Sequence, residues 1–283
     1  MDLEKEIRVL KCLLNESQHD LAKNLNVSYD TINSLEDNYD LNTIEKLYSY
    51  AYKKEIYINN IFENFLMEEF NKESSKVLFH GTKNGITFPL DLNHSRNNND
   101  FGKGFYLGEN LNQAATYISL CDSHEIFSFC INLKDLKILK FGVELDWMIA
   151  ISYYRGWLFE YKDNSYLKKI ISDIESFDVI IAPIADNRMF DVIAEFVKGE
   201  ITTSQCIHAL SATDLGYQYV IRTNKGLKSL KYIKTLYLSN IEKEDYIKKR
   251  KDIFDMNLNK VKASRIKYKN EGKYITEVLQ CEN

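Results

Sequence analysis

Near residue 72 the apolar residues change their spacing, and that change limits the chain to two differently built parts. Before it, Leu3, Ile7, Leu10 and Leu14 recur every three to four residues, the period of a helix with one buried face. A second helix is expected from Gln18 to Leu25. A third is expected from Ser28 to about Asp37, with Ser28 as its N-cap and Glu36 closing it. Further helical stretches cover about 41–52 and 57–70. After the polar stretch NKESSK, residues 71–76, short apolar runs mix with helical patterns. Strands are expected over 76–80, 103–107, 125–132, 136–140, 178–184 and 217–223. Helices are expected over 111–120, 144–154, 165–175, 187–198 and 203–209. Strands and helices do not alternate strictly, which predicts an α+β fold. Residues 226–283 read as helical and basic, and LKSLKYIKTLYLSN keeps an apolar stripe to pack on the domain. The expected division is therefore 1–73, 74–232 and 233–283.

The ends differ in charge. Residues 1–73 hold 8 Lys and Arg against 15 Asp and Glu, whereas residues 225–283 hold 15 against 8. An acidic head and a basic tail bias the choice of partner, unless each end folds against the other or is simply solvated. No apolar run approaches the roughly 18 residues a membrane span needs, so no membrane partner is expected. The start, MDLEKEIRVL, has neither the basic residues nor the apolar core of a signal peptide, and a cytoplasmic location is expected. Five cysteines, Cys12, Cys121, Cys130, Cys206 and Cys281, include no CxxC pair and read as free thiols. His19, His94, His124 and His208 show no metal-ligand spacing, and no metal site is expected.

SQHDLAKNLNVSYDTINSLE, residues 17–36, can be read position by position. Leu21, Leu25, Val27 and Ile32 fill a small core between two short helices, and Ala22 is small where they cross. Asn26 sits at the tight turn, where a left-handed backbone is needed and Asn tolerates it. Over roughly residues 4–60 the pattern resembles a Cro/repressor-type, Xre-like helix-turn-helix. The resemblance implies DNA binding through Ser28, Tyr29, Thr31 and Asn33 in a major groove, with Gln18 near a phosphate. The helix in the reading position carries no Arg or Lys and its segment is acidic, so a protein-docking or dimerising role stands beside the DNA-binding one.

VLFHGT, residues 77–82, and DFGKGFYLG, residues 100–108, pose the sharper question. Gly102, Gly104 and Gly108 suggest a dinucleotide fingerprint. That motif needs a buried strand before the glycines and a helix beginning at them, whereas here a polar loop precedes and the strand-like Phe105-Tyr106-Leu107 follows. A phosphate loop also fails, for want of a Gly-Lys-Ser/Thr ending. The alternative is a strand ending in His80, with Gly81 offering its backbone to a ligand and Tyr106 on a nearby strand offering a ring to a flat heterocycle.

Together with DVIIAPIADNRMF and GYQYVIRTNKGLKSL, these motifs resemble, in order, the His-Tyr type of the ADP-ribosyltransferase fold, the diphtheria-toxin and poly(ADP-ribose)-polymerase branch. Residues 76–232 are similar to a bacterial domain family of unknown function placed in that clan. The resemblance implies a split β-sheet domain that uses NAD as ADP-ribose donor. It implies that His80 binds the adenosine-proximal or nicotinamide ribose and that Gly81 clamps the nicotinamide amide. Tyr106 would stack on the nicotinamide ring, and Thr82, Gly104 and Phe105 would shape the pocket. Where the clan places a Glu on a late strand, this chain offers Gln218, which can hold a ribose hydroxyl but cannot act as a base.

Asp186 is the natural substitute carboxylate, or else the N-cap of helix 187–198. Glu195 points away from the apolar face of that helix and is expected in solvent. Arg188 meets either a pyrophosphate or a surface acid. The expected function is transfer of ADP-ribose from NAD to a protein or nucleic-acid acceptor, as in a toxin-like or defence effector. Beside it stand a helix-turn-helix regulator with an inactive NAD- or nucleotide-sensing domain and an interaction protein.

Overall fold

A computed structural model describes residues 3–34, 40–212 and 215–280. Glu36, Asp37 and Cys281 lie outside the described residues. The chain divides into two compact units that do not follow chain order. One comprises Met1–Ile86, Asn110–Asn132 and Lys231–Arg250, and the other Thr87–Glu109, Leu133–Leu230 and Lys251–Asn283.

The first unit opens with helices α1 (Leu3–Leu14), α2 (Gln18–Leu25), α3 (Tyr29–Asn33), α4 (Leu41–Lys53) and α5 (Ile58–Phe70). Each start is chemically marked. Ser17 and Asp20 form a capping box on α2, Ser28 caps α3, and Asp40 accepts from the N–H groups of Asn42 and Thr43 at the start of α4. Asn26 has φ 52°, the left-handed conformation its place in the turn predicts. Leu10, Leu21, Ile32, Ile44 and Leu47 meet in a core that excludes solvent. Burial of each such side chain contributes about 1.5–3 kcal/mol.

The same unit carries strands β1 (Ser75–Gly81), β3 (Glu125–Asn132) and β7 (Leu230–Tyr237), side by side in the order β1-β3-β7, and helix α6 (Leu111–Ile118). β1 and β3 are antiparallel, with His80 opposite Phe127. Strand alternation sends Val77 and Phe79 into a second core with Leu111, Ala115 and Ile118 of α6. β7 corrects the reading of residues 226–283 as wholly helical. Its apolar stripe also fits a helical period, but Leu236 and Tyr237 are buried at the end of a strand rich in β-branched and aromatic residues.

The second unit holds β2 (Phe105–Gly108), β4 (Ile138–Lys140), β5 (Val179–Pro183) and β6 (Tyr217–Ile221), in the order β4-β5-β6-β2. β4 and β5 are parallel, and the other two pairings are antiparallel. Against them pack α7 (Leu145–Tyr154), α8 (Ser165–Ser176), α9 (Asn187–Val197) and α10 (Thr203–Leu210). α7 is apolar on nearly every side, and Trp147, Met148, Ile149, Ala150 and Ile151 are all fully buried, as such a helix requires. α11 (Asn224–Lys228) precedes β7, and the long α12 (Asn240–Lys267) and short α13 (Ile275–Gln280) end the chain. The mixed architecture is α+β. Among the described residues no helix is long and apolar enough to cross a membrane.

Candidate functional site

β2 and β6 lie antiparallel with Tyr106 opposite Val220 and Gly108 opposite Gln218. The two-residue alternation of strands puts Tyr106 and Gln218 on the same face, diagonal neighbours across the pair. Phe105, opposite Ile221, lies on the other face.

Tyr106 is fixed at both ends. Its ring packs against the core of the second unit. Its hydroxyl donates to the Gly102 carbonyl at 2.8 Å and accepts from the Phe101 N–H at 3.1 Å. The phenol thus closes the loop before its own strand. Burial, chiefly, raises its pKa well above the ordinary tyrosine range, so it stays neutral and serves as ring and hydrogen-bonding group, not as a base.

The glycines of this loop have separate reasons. Gly102 has φ 69°, and a Cβ there would stand 2.8 Å from the Tyr154 ring. At Gly104 a Cβ would meet Val220 Cγ1 at 2.6 Å and the Ile221 carbonyl at 3.1 Å, so a side chain would push β2 off β6. Arg222 anchors the loop by donating to the Phe101 carbonyl, with its guanidinium 5.6 Å from the Tyr154 ring centroid.

Gln218 is 8% exposed. Its amide nitrogen donates to Asp100 Oδ2 at 3.2 Å and to the Pro183 carbonyl at 3.3 Å. Asp100 in turn accepts from Arg155 Nη2 at 2.8 Å in an ion pair. The Arg155 guanidinium lies 3.4 Å from the Phe190 ring centroid, an aromatic contact that fixes its plane. Sequence reasoning missed Asp100 and Arg155. Asp100 opens the quoted DFGKGFYLG, but Arg155 is 55 residues away and Gln218 is 118 away, and no local signal joins them.

Asp186 caps α9, accepting from the Met189 N–H at 2.9 Å. Arg188, in the first turn of α9, is buried, which corrects the surface placement weighed for it. Glu195 is corrected too. It is half-buried and pairs with Arg265 of α12 at 2.6 Å, because a basic residue of the tail packs onto α9.

In the first unit His80 is half-buried on β1, on the strand face opposite Val77, Phe79 and Gly81. Gly81 is required by α6, since a Cβ would stand 2.7 Å from Ile118 Cγ2 and 2.9 Å from the Ala114 carbonyl. Thr82 Oγ1 donates to the Gly85 carbonyl at 3.3 Å and tightens the turn that follows. His80, Gly81 and Thr82 belong to the first unit; Gly104, Phe105, Tyr106, Asp186, Arg188 and Gln218 belong to the second.

The residues considered for DNA contact are engaged with one another or with neighbouring side chains. Gln18 donates to Asn33 Oδ1 at 2.8 Å and accepts from Lys11 at 3.1 Å. Ser28 accepts from the Thr31 N–H and bonds the Thr31 hydroxyl at 2.7 Å. Tyr29 stacks on His19 with ring centroids 4.1 Å apart.

No curated protein and no solved structure matches the chain. Residues 76–232, which run from β1 into β7 and include the β2–β6 pair with its Tyr106, Gln218 and Asp100, match a family model covering more than half of the sequence. The chain therefore belongs to the family described as protein of unknown function (DUF3990).

Proposed function

We propose that the chain is an NAD-dependent ADP-ribosyltransferase acting on a macromolecular acceptor. The observation that carries the reading is the pairing of a clamped, neutral Tyr106 with a buried Gln218 on one face of β2–β6, both within motifs whose order resembles the His-Tyr transferases. In this reading NAD supplies an ADP-ribosyl group whose bond to nicotinamide breaks with the electron pair leaving on nicotinamide. A nucleophile of the acceptor then bonds the ribose carbon and gives up its proton. Tyr106 offers a flat apolar face that cannot rotate freely, because its hydroxyl is tied to the loop. Gln218 holds a hydroxyl by hydrogen bonding.

The test is incubation of purified protein and lysate with labelled NAD. Transfer of label and release of nicotinamide are expected, falling by about a hundredfold or more in Tyr106→Ala. Absence of both transfer and nicotinamide release in the wild type would sink the reading. The amide at position 218 favours one alternative, a domain that binds NAD without turning it over. Saturable binding with no nicotinamide release would mark it.

A further inference from the structure

A buried amide can be turned either way, and its neighbours decide which way it faces. Both groups within reach of the Gln218 amide nitrogen, the Asp100 carboxylate and the Pro183 carbonyl, are acceptors. They take both N–H donors of the amide. Turned the other way, Oε1 would face two oxygens and lose both hydrogen bonds, so this orientation is set by the surroundings. Among the described residues Oε1 accepts no hydrogen bond. Among the described residues it is not one of the fully enclosed polar atoms without a partner either, so it keeps some access to solvent although Gln218 is only 8% exposed.

Asp100 cannot hold the amide unless it is itself held. Arg155 does this through the ion pair at 2.8 Å, and Phe190 fixes Arg155 from the other side. The arrangement is a chain of support, Phe190 to Arg155 to Asp100 to Gln218, ending in that amide oxygen.

We propose that Asp100 is a positioning residue that turns Gln218 so that its Oε1 is presented as the acceptor for a ligand hydroxyl. The inference rests on the proposed function for the ligand, a ribose hydroxyl of NAD. It assigns Gln218 a purely accepting role, set by a residue that need not touch NAD.

The test uses the full chain and calorimetric titration with NAD and with deoxy-NAD analogues each lacking one ribose hydroxyl. The wild type is expected to bind NAD about tenfold more tightly than one of the analogues, as for loss of a single buried hydrogen bond. Asp100→Ala should bring that ratio close to one. A merely structural role for Asp100 would weaken NAD and analogue alike and leave the ratio unchanged.

Because Asp100→Ala could also disturb the loop, an exchanged pair supplies a second measurement. Gln218→Glu alone sets a carboxylate against Asp100 and should lose discrimination at neutral pH. Adding Asp100→Asn restores a donor facing an acceptor on that side, while the Pro183 carbonyl still meets a carboxylate oxygen, so the ratio should rise part of the way back, above that of Gln218→Glu alone. NAD binding without discrimination, discrimination that survives Asp100→Ala, or no rescue by the exchanged pair overturns this inference alone. Absence of NAD binding by the wild type overturns the proposed function and this inference with it.

Discussion

The α2–α3 pair and the head of β6 both gather polar side chains, yet they spend their hydrogen bonds differently. In α2–α3, Gln18, Asn33, Ser28 and Thr31 satisfy one another at the surface. A nucleic acid reaching them would have to break those bonds, and the helix offers no cation in return. At the head of β6 the donors of Gln218 are consumed by Asp100 and the Pro183 carbonyl, while among the described residues its amide oxygen accepts no hydrogen bond. A side chain held in that way needs no rearrangement to take a ligand. If the proposed function holds, burial of the supporting half of a polar group, more than the presence of the group, is what sets a ligand site apart from a solvated face.

The largest effect expected is at the glycine that brings β2 against β6. Gly104→Ala puts a methyl 2.6 Å from Val220 Cγ1, and overpacking of this kind costs about 3 kcal/mol. Urea unfolding measures it, and a loss under about 0.5 kcal/mol would show that β2 yields easily and that the β6 head is not rigid. Tyr106→Phe removes the hydroxyl from the Phe101 N–H and Gly102 carbonyl, for a cost of about 2 kcal/mol. Hydrogen exchange at the Phe101 amide should quicken in the same variant; unchanged exchange would mean the loop is held without the phenol.

Asp178, beside the other end of β5 and β6, sharpens the contrast because its carboxylate is wholly structural. Burial alone would raise its pKa, but hydrogen bonds from the Thr223 hydroxyl and the Lys137 N–H, with the Lys225 ammonium nearby, hold it below the ordinary carboxylate range. A lowered folded pKa stabilises the fold above the unfolded value of about 3.9, and that contribution is lost as pH falls through the folded value. Acid titration of stability should therefore drop less steeply below about pH 4 in Asp178→Asn than in the wild type. The variant should also cost about 1 kcal/mol at neutral pH. Identical acid limbs would remove Asp178 from the account.

Smallest of all should be Gln18→Ala, at about 0.5 kcal/mol, because its bonds are exposed to water. Fluorescence anisotropy with a duplex should show no salt-dependent binding for the variant to weaken. Tight, salt-sensitive binding lost on Gln18→Ala would reverse the comparison and restore DNA contact as the role of α2–α3.

Much of the local structure was legible. α2 falls at Gln18–Leu25 and β3 at Glu125–Asn132, where the patterns place them, because capping residues and two-residue alternation act over a few positions. β7 was misread because an apolar stripe in a short basic segment fits either period, and only pairing with β3 selects the strand. Glu195 was assigned to solvent because its partner, Arg265, is 70 positions away.

The sequence by itself determined the helical start, the mixed second half and the glycine, tyrosine and histidine motifs, since these follow from neighbours along the chain. Tertiary structure alone decided that Asp100 and Arg155 stand behind Gln218, that Tyr106 locks its own loop, and that the polar residues of α3 are already engaged. The physical reason is range. Propensity and capping act within a few residues, whereas the facing of a buried amide depends on charges and carbonyls that only folding brings within about 3 Å.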